Sequence, residues 1–348
     1  MIAFYIAKGK FTEAKKLAEN IDFKPAQTIE EAVEFGKNHL GIKSYNGFEA
    51  KDINVINWIN EGLVNTSNKM KGRLRMPKDI VYTDQLDKNT LAGVVTEKGQ
   101  YEGWFGINKN IFANVNESID EVLEVLKKGN WIEIENESLK GCVRLDKQSV
   151  QPLAEQFEKY QAGNLSFNEK IDFWNSLSVL RNTTSSLKYS PFNFIKQSLA
   201  IPQVKTVCEN NGLVTNLENI KALTTDEQWK ILKDILKLNQ GVQIKFNVAN
   251  KGPFATIYHE MGHIQDMTPR CLTTDKYKFD YSKYSDELKA WVDNQENMQI
   301  ANRVSEYASH GPGEFIAETF ARMIQGNKLP DEVVALYKKL KGPAVPGY

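Results

Sequence analysis

Residues 251–266, KGPFATIYHEMGHIQD, hold two of the four histidines in this chain of 348 residues. Pro253 suits the first turn of a helix, and most of the residues after it are compatible with a helical backbone. His259 and His263 would then lie on one helix face, one turn apart, where two imidazoles can bind the same metal ion. Glu260 is displaced around the helix axis, so it could reach a water molecule on the metal rather than the metal itself.

Two histidines do not complete a catalytic zinc site, because such a site usually has three protein ligands and one open position. No third histidine follows closely, since the chain continues IQDMTPRCL after His263. Glu314 and Glu318, in the segment GPGEFIAETFARM at 311–323, are spaced to lie one above the other on a second helix. Either carboxylate could be the third ligand, depending on the rotation of that helix. The alternative is that both histidines only pair with surface carboxylates.

The two segments together resemble the HExxH zinc peptidases that include the catalytic domain of anthrax lethal factor and its phage-encoded, head-associated relatives. Their shared pattern is HExGHxxD, a long gap, and then Y-x6-E-F-[FI]-A-E. This chain has HEMGHIQD at 259–266 and YASHGPGEFIAE at 307–318. The resemblance implies one Zn²⁺ per chain, with His259, His263 and Glu314 as its ligands.

The resemblance also implies roles for the neighbouring side chains. Glu260 would be the general base, and Tyr307 would supply the hydroxyl group that stabilises the oxyanion. Glu318 and Asp266 would accept hydrogen bonds from the ligand imidazoles. His310 is expected near the substrate cleft without being a ligand. The implied fold is α+β, with a zincin-like metallopeptidase core made of a mixed sheet and an active-site helix.

Periodicity and turn residues divide the chain into five predicted segments. They are an N-terminal helix in 1–27, the first part of the peptidase core in 28–117, a helical insertion in 118–239, the catalytic HExxH part in 240–341 and an irregular tail in 342–348. A weaker similarity to the family extends upstream, so the whole resemblance covers 28–115 and 240–328, and the insertion has no counterpart there.

Local patterns within these segments predict individual elements. Helical spacing predicts helices over 28–40, with Thr28 as its N-cap, and over 49–68. Short β-branched and aromatic runs between 77 and 116 predict a small antiparallel meander. A loop-bearing connection between helices is expected at 182–202, and alternation in GVQIKFNVAN at 241–250 predicts a strand.

Composition and charge exclude several classes of protein. The 44 basic and 44 acidic side chains cancel, so no whole-chain field attracts a polyanion such as nucleic acid. A mean hydropathy of -0.46 argues against a membrane protein. The three cysteines are far apart in the sequence, which favours a reducing compartment. The apolar run at the start, MIAFYIAKGK, is shorter than the apolar region of a secretion signal. We therefore expect a cytoplasmic protein, or a virion-associated one if it is phage-encoded.

These observations predict a zinc-dependent endopeptidase that acts on a protein or peptide, with phage capsid and host proteins as candidate substrates. No nucleic acid or membrane partner is expected. One alternative is a phage structural or ejected protein whose metallopeptidase-like domain serves binding or assembly with little or no turnover. Another is a binding module that a metal ion stabilises.

Overall fold

The computed structural model describes residues 20–87, 90–97, 100–128, 144–145, 147–189, 191–238, 243–244, 252–270, 286, 288–291, 293–305 and 307–348. These residues form an α+β fold that is mostly helical, with one four-stranded mixed sheet, so the predicted class is confirmed. The chain divides into two compact units. The first comprises the described parts of Met1–Val115, Phe167–Asp172 and Ala249–Tyr348, and the second comprises those of Asn116–Ser166 and Phe173–Val248.

The first helix of the structure begins where its capping residue predicts. Helix α1 (Ile29–Phe35) follows Thr28, whose hydroxyl accepts a hydrogen bond from the backbone N–H of Glu31. A π-helical turn continues it to Leu40, and Gly41 ends it with a φ of 72°. Residues 20–27 contain no helix or strand, and the rest of the predicted N-terminal helix, 1–19, lies outside the described residues.

The next helix, which is longer, packs against the later part of the chain that carries HEMGH. Helix α2 (Ile53–Met70) follows a short 3₁₀ turn, as the helical spacing predicts, and buries its apolar face. Trp58 is 1% exposed, and its indole Nε1 donates a hydrogen bond of 2.6 Å to the carbonyl oxygen of Pro253. This bond fixes α2 beside the segment from which the HEMGH helix starts.

The sheet is mixed rather than an antiparallel meander, so that prediction is wrong. Its strands are β1 (Ser44–Asn46), β2 (Asp79–Thr83), β3 (Ala92–Glu97) and β4 (Gln100–Asn108), in the spatial order β1-β2-β4-β3. Strands β1, β2 and β4 run parallel, and only β3 is antiparallel to its neighbour. Short runs separated by turn residues specify strands but not their neighbours. The longest strand, β4, with Phe105 and Ile107 fully buried, lies between β2 and β3.

After the short helix α3 (Lys109–Phe112), helices dominate the second unit. They are α4 (Val115–Lys128), α5 (Lys147–Gln161), α6 (Phe167–Tyr189), α7 (Pro191–Leu199), α8 (Pro202–Asn210), α9 (Leu217–Lys221) and α10 (Thr225–Leu238). The first residue of α4 and the first six of α6, Phe167–Asp172, belong to the first unit. Part of this unit's core is a cluster that includes Phe194, Ile195, Cys208, Leu232 and Ile235.

Two local predictions in this part of the chain can be compared with the structure. The predicted loop at 182–202 is wrong, because α6 continues to Tyr189 and α7 begins at Pro191, whose fixed φ suits a first helical turn. Of the predicted strand at 241–250, only β6 (Gln243–Ile244) is described, and it pairs in parallel with β5 (Arg144–Leu145).

The last part of the chain completes the first unit. Its elements are α11 (Ala255–Arg270), α12 (Gln295–Asn302), a 3₁₀ helix (Tyr307–His310), α13 (Pro312–Ile324) and α14 (Asp331–Lys339). Helix α11 packs against α13, α2 and β3, with Ile257, Met261 and Ile264 fully buried. Residues 340–348 form no helix or strand. Among the described residues, no helix combines the length and apolar character needed to cross a membrane.

Candidate metal centre

The two histidines of the HEMGH segment face each other on α11. Their Nε2 atoms are 3.0 Å apart, and their rings are nearly perpendicular with centroids 4.7 Å apart. Both side chains are largely withdrawn from solvent, with exposed fractions of 10% for His259 and 13% for His263. Two imidazole nitrogens are therefore directed at one point beside the helix, as their spacing of four residues predicts.

Glu314, in the first turn of α13, brings a carboxylate to the same point. Its Oε2 lies 3.3 Å from Nε2 of His259 and 3.3 Å from Nε2 of His263. One ligand atom from each of the three residues lies within 4.8 Å of the others. Burial alone would raise the pKa of Glu314, but hydrogen bonding from both histidines outweighs it and holds the pKa below its usual range.

The chemistry of this donor set fits a zinc ion. Two neutral imidazole nitrogens and one carboxylate oxygen are a ligand combination found in catalytic zinc sites. Oε2 of Glu314 is buried, so water does not readily stabilise it in place of a cation. Within the described residues, His259, His263 and Glu314 are the one group of histidine, cysteine and acidic side chains that could hold a metal ion together.

The convergence depends on an unusually close approach of the two helices. A Cβ added to Gly262 would lie 2.7 Å from Cα of Ala317 and 3.1 Å from its carbonyl oxygen. Any residue larger than glycine would therefore push α13 away from α11. Gly262 lies between the candidate ligand positions of α11, and Ala317 lies one turn after Glu314, so we expect this contact to set how far Glu314 stands from the histidines.

Glu318, one turn after Glu314, contacts the opposite edge of the first imidazole. Its Oε1 is 2.7 Å from Nδ1 of His259, and the side chain of Glu318 is buried. A carboxylate accepts, so Nδ1 carries the hydrogen and Nε2 is left as the ligand atom. Burial alone would lower the pKa of His259, but the carboxylates of Glu314 and Glu318 raise it well above its usual value.

Glu260 lies on α11 with a buried carboxyl group that faces the sheet. Its Oε2 accepts a hydrogen bond of 3.0 Å from the backbone N–H of Val94, in the edge strand β3. Burial raises the pKa of Glu260, and the charges of His259 and His263 and the Val94 N–H oppose that rise only in part. A raised pKa is a property of many carboxylates that act as general bases.

Tyr307 and His310 lie at the solvent side of the centre. The Tyr307 ring is 5.7 Å from that of His259 and 5.2 Å from that of His310. Tyr307 is 47% exposed, so it is not a core aromatic residue. His310 is exposed and is the last residue of the 3₁₀ helix Tyr307–His310.

Asp266 is buried near the first turn of α13. Its Oδ2 is 3.9 Å from the position that a Cβ on Gly313 would take. Its expected hydrogen bond to a ligand imidazole stays a prediction. The corresponding expectation for Glu318 agrees with the contact that Glu318 makes with His259.

Two groups that contact these side chains escape sequence reasoning. Ser305 donates a hydrogen bond of 3.0 Å to Oε2 of Glu318. The group that Val94 contributes is its backbone N–H, which nearly every residue has, so no sequence pattern indicates it. For Ser305 the available signal is weak: serine is a common N-cap, and its hydroxyl accepts from the N–H of Ala308 three residues later.

Comparison of the chain with protein-family models, with curated protein sequences and with solved structures finds no match. What this protein does is therefore inferred from its own residues.

Proposed function

We propose that this protein is a zinc-dependent endopeptidase with a zincin-like core. The observation that carries the proposal is the convergence of His259 Nε2, His263 Nε2 and Glu314 Oε2 within 4.8 Å of one another. Beside them, the buried carboxyl group of Glu260 is the candidate general base. Zinc, when bound, supplies a Lewis acid and lowers the pKa of water to about 7.

A peptide is the substrate that the surroundings of Glu260 favour. Strand β3 is at an edge of the four-stranded sheet, and its pairing within the described residues is with β4 alone. The backbone N–H of Val94 points away from β4, toward Glu260. The unpaired edge of β3 therefore runs past the general base, and an extended peptide can add to such an edge by backbone hydrogen bonds.

Glu260 would move one proton through the reaction. It accepts a proton from the attacking water, whose oxygen bonds to the carbonyl carbon of the scissile peptide. It then gives that proton to the amide nitrogen while the C–N bond breaks, which leaves a carboxyl group on one product and an amine on the other. In the metal-free protein burial raises its pKa, so its carboxylate holds a proton more readily than an exposed one does.

Tyr307 would stabilise the charge that develops on the carbonyl oxygen. Its ring lies 5.7 Å from the His259 ring, and 47% of the residue is exposed, so its hydroxyl group can reach a bound substrate. A phenolic O–H donates one hydrogen bond. Loss of one such donor typically costs about 2.7–4 kcal/mol of transition-state stabilisation.

The test combines metal content with peptide cleavage. Purified wild-type protein is expected to hold one zinc ion and to cleave members of a peptide library, as measured by mass spectrometry. Glu260→Gln should keep zinc but lose hydrolysis, whereas His259→Ala should lose the metal. His39→Ala, at an exposed histidine that stacks on Phe35, is the matched control and should keep both. Wild-type protein without zinc at neutral pH, or an active Glu260→Gln variant, would overturn the proposal.

A further inference from the structure

Ser305 occupies a buried position between two elements of the first unit. It is 1% exposed and lies between α12 and the 3₁₀ helix that carries Tyr307. Its backbone N–H donates to the carbonyl oxygen of Ala301 at the end of α12, at 3.1 Å. The position of its side chain is thus fixed by the helix that precedes it.

The hydroxyl group of Ser305 makes two hydrogen bonds in opposite senses. It accepts from the backbone N–H of Ala308 at 2.9 Å, and it donates to Oε2 of Glu318 at 3.0 Å. A serine hydroxyl has one hydrogen and two lone pairs, so both bonds can exist together. The N–H of Ala308 can only donate, and therefore the hydroxyl hydrogen is the one directed at Glu318.

Each of these bonds leads to a different part of the candidate active site. Glu318 uses its other oxygen, Oε1, to contact Nδ1 of His259 at 2.7 Å, which orients that imidazole toward Glu314. Ala308 directly follows Tyr307, so its bond to Ser305 fixes the start of the short helix on which Tyr307 lies. Because Ser305 is buried, water cannot readily replace either bond when the hydroxyl is removed.

We propose that Ser305 is a positioning residue for this site. Through Glu318 it holds the imidazole of His259 in the orientation that a metal ion requires, and through Ala308 it holds Tyr307 beside that imidazole. This inference rests on the proposed function, because it concerns how the same site is assembled. It adds a residue that would touch neither the metal nor the substrate.

The decisive experiment compares Ser305→Ala with Thr319→Val. Thr319 is fully buried on α13 next to Glu318, and its hydroxyl has no hydrogen-bond partner among the described residues, so the control removes a buried hydroxyl without breaking these bonds. Zinc affinity is measured by competition with a chelator, and kcat and KM are measured at saturating zinc. For Ser305→Ala we expect zinc affinity to fall about tenfold, the lower end of the effect of changing a partner of a ligand. We also expect kcat to fall while KM stays unchanged, because Tyr307 would act on the transition state.

A merely structural serine would give a different result. It would lower the melting temperatures of the zinc-free and zinc-loaded proteins equally, whereas a weaker zinc site also reduces the shift in melting temperature that zinc produces. In the Glu318→Gln background, Ser305→Ala should change zinc affinity by less than about twofold. Both changes act on the same chain of hydrogen bonds, from Ser305 through Glu318 to His259, so their effects should not add.

Three results would overturn the inference. The first is that Ser305→Ala and Thr319→Val have equal zinc affinity and equal kcat. The second is that Ser305→Ala leaves the zinc-induced shift in melting temperature unchanged. The third is that the variant carrying both Ser305→Ala and Glu318→Gln loses zinc affinity by the product of the two single losses. With active, zinc-loaded wild-type protein, these outcomes count against Ser305 alone. Wild-type protein that takes up no zinc overturns the proposed function and this inference together.

Discussion

The backbone N–H of Val94 donates a hydrogen bond of 3.0 Å to Oε2 of Glu260. In β3, alternate residues make the ladder hydrogen bonds to β4. Leu91 is in phase with these residues, because its carbonyl oxygen accepts from the N–H of Asn108. Val94, three positions later, is out of phase, so its N–H points away from the sheet. A backbone group at the edge of the sheet therefore fixes one oxygen of the candidate general base. The other oxygen would be the one to act on the water and the scissile peptide.

Val94→Pro is expected to remove this hydrogen bond while keeping the sheet, because proline is tolerated where an edge-strand N–H does not enter the ladder. A hydrogen bond to a charged group contributes about 1.5–3 kcal/mol, so kcat/KM should fall by at least about tenfold. The Val94 N–H lowers the pKa of Glu260, and its loss raises that pKa. Glu260 must be deprotonated to accept a proton, so the loss of activity on acidification should move to higher pH. Steady-state kinetics across pH measure both effects.

Ala92→Pro is the matched control for that variant. Ala92 is the first residue of β3 and lies two positions before Val94, on the same side of the strand. The control should keep zinc content and the pH profile. An unaltered pH profile in Val94→Pro, in protein that still binds zinc, would contradict a role of the Val94 bond in tuning Glu260.

Gly262→Ala is expected to disturb the metal centre from within the helix pair. The new Cβ would lie 2.7 Å from Cα of Ala317, and because the contact is with backbone, no side-chain movement can relieve it. Helices α11 and α13 must then separate, which moves Glu314 away from the histidines. We expect overpacking to cost about 1–3 kcal/mol of unfolding free energy and zinc affinity to fall at least about tenfold. Chemical denaturation and chelator competition measure the two losses.

Gly62→Ala separates this effect from general overpacking. A Cβ on Gly62 would lie 2.5 Å from Cδ1 of Ile257 and 3.1–3.2 Å from its Cγ2 and Cβ, so its three nearest neighbours are side-chain atoms of α11 and not the backbone of α13. This variant should lose stability but keep most of its zinc affinity. Equal zinc affinity in both glycine variants would show that the α11–α13 approach does not control the ligand geometry.

Glu314→Gln and Glu318→Gln should differ in zinc binding. Glu314 Oε2 lies 3.3 Å from Nε2 of both histidines, so its loss should remove one of the three candidate ligands and with it stoichiometric zinc. Glu318 reaches only the far side of His259, so its replacement should weaken zinc binding by about 10–100-fold without abolishing it. Zinc content after gel filtration and chelator competition distinguish the two. The reverse result would make Glu318 the third ligand.

Zinc binding should release a proton near neutral pH. In the metal-free protein, burial lowers the pKa of His259, but the carboxylates of Glu314 and Glu318 raise it well above its usual value, so the imidazole is protonated. Zinc requires the neutral ring, and about one proton should therefore leave His259 for each zinc bound. The pKa of Glu314 is lowered, so that residue is already deprotonated and releases none. Calorimetry in two buffers of different ionisation enthalpy measures the release, and buffer-independent heats would contradict it.

The local elements around the site could be predicted from the sequence. Helical spacing and capping residues locate α1, α2 and the two helices that carry HEMGH and EFIAE, because these signals act within a few residues. The spacing of His259 and His263 also predicts their common face. The choice between Glu314 and Glu318 could not be made from periodicity, since it depends on how α13 is rotated against α11.

Interactions between distant segments could not be predicted in the same way. Nothing in the short strands indicates that β4 enters between β2 and β3, because strand pairing is decided by packing far along the chain. The same holds for Val94 and Ser305, whose contacts with Glu260 and Glu318 appear only when separate elements meet. The loop expected at 182–202 failed for a local reason, since Pro191 begins a new helix rather than ending an ordered region.

The bond between Trp58 and Pro253 spans 195 positions, and that between Val94 and Glu260 spans 166. At a synthesis rate of about 5–20 residues per second, the ribosome would add Glu260 roughly ten to thirty seconds after Val94. The nascent chain therefore holds the edge strand long before the residues that would cut a peptide beside it. A peptidase that uses these residues is made inert, and it becomes able to cleave only after Glu314 has been added to the chain.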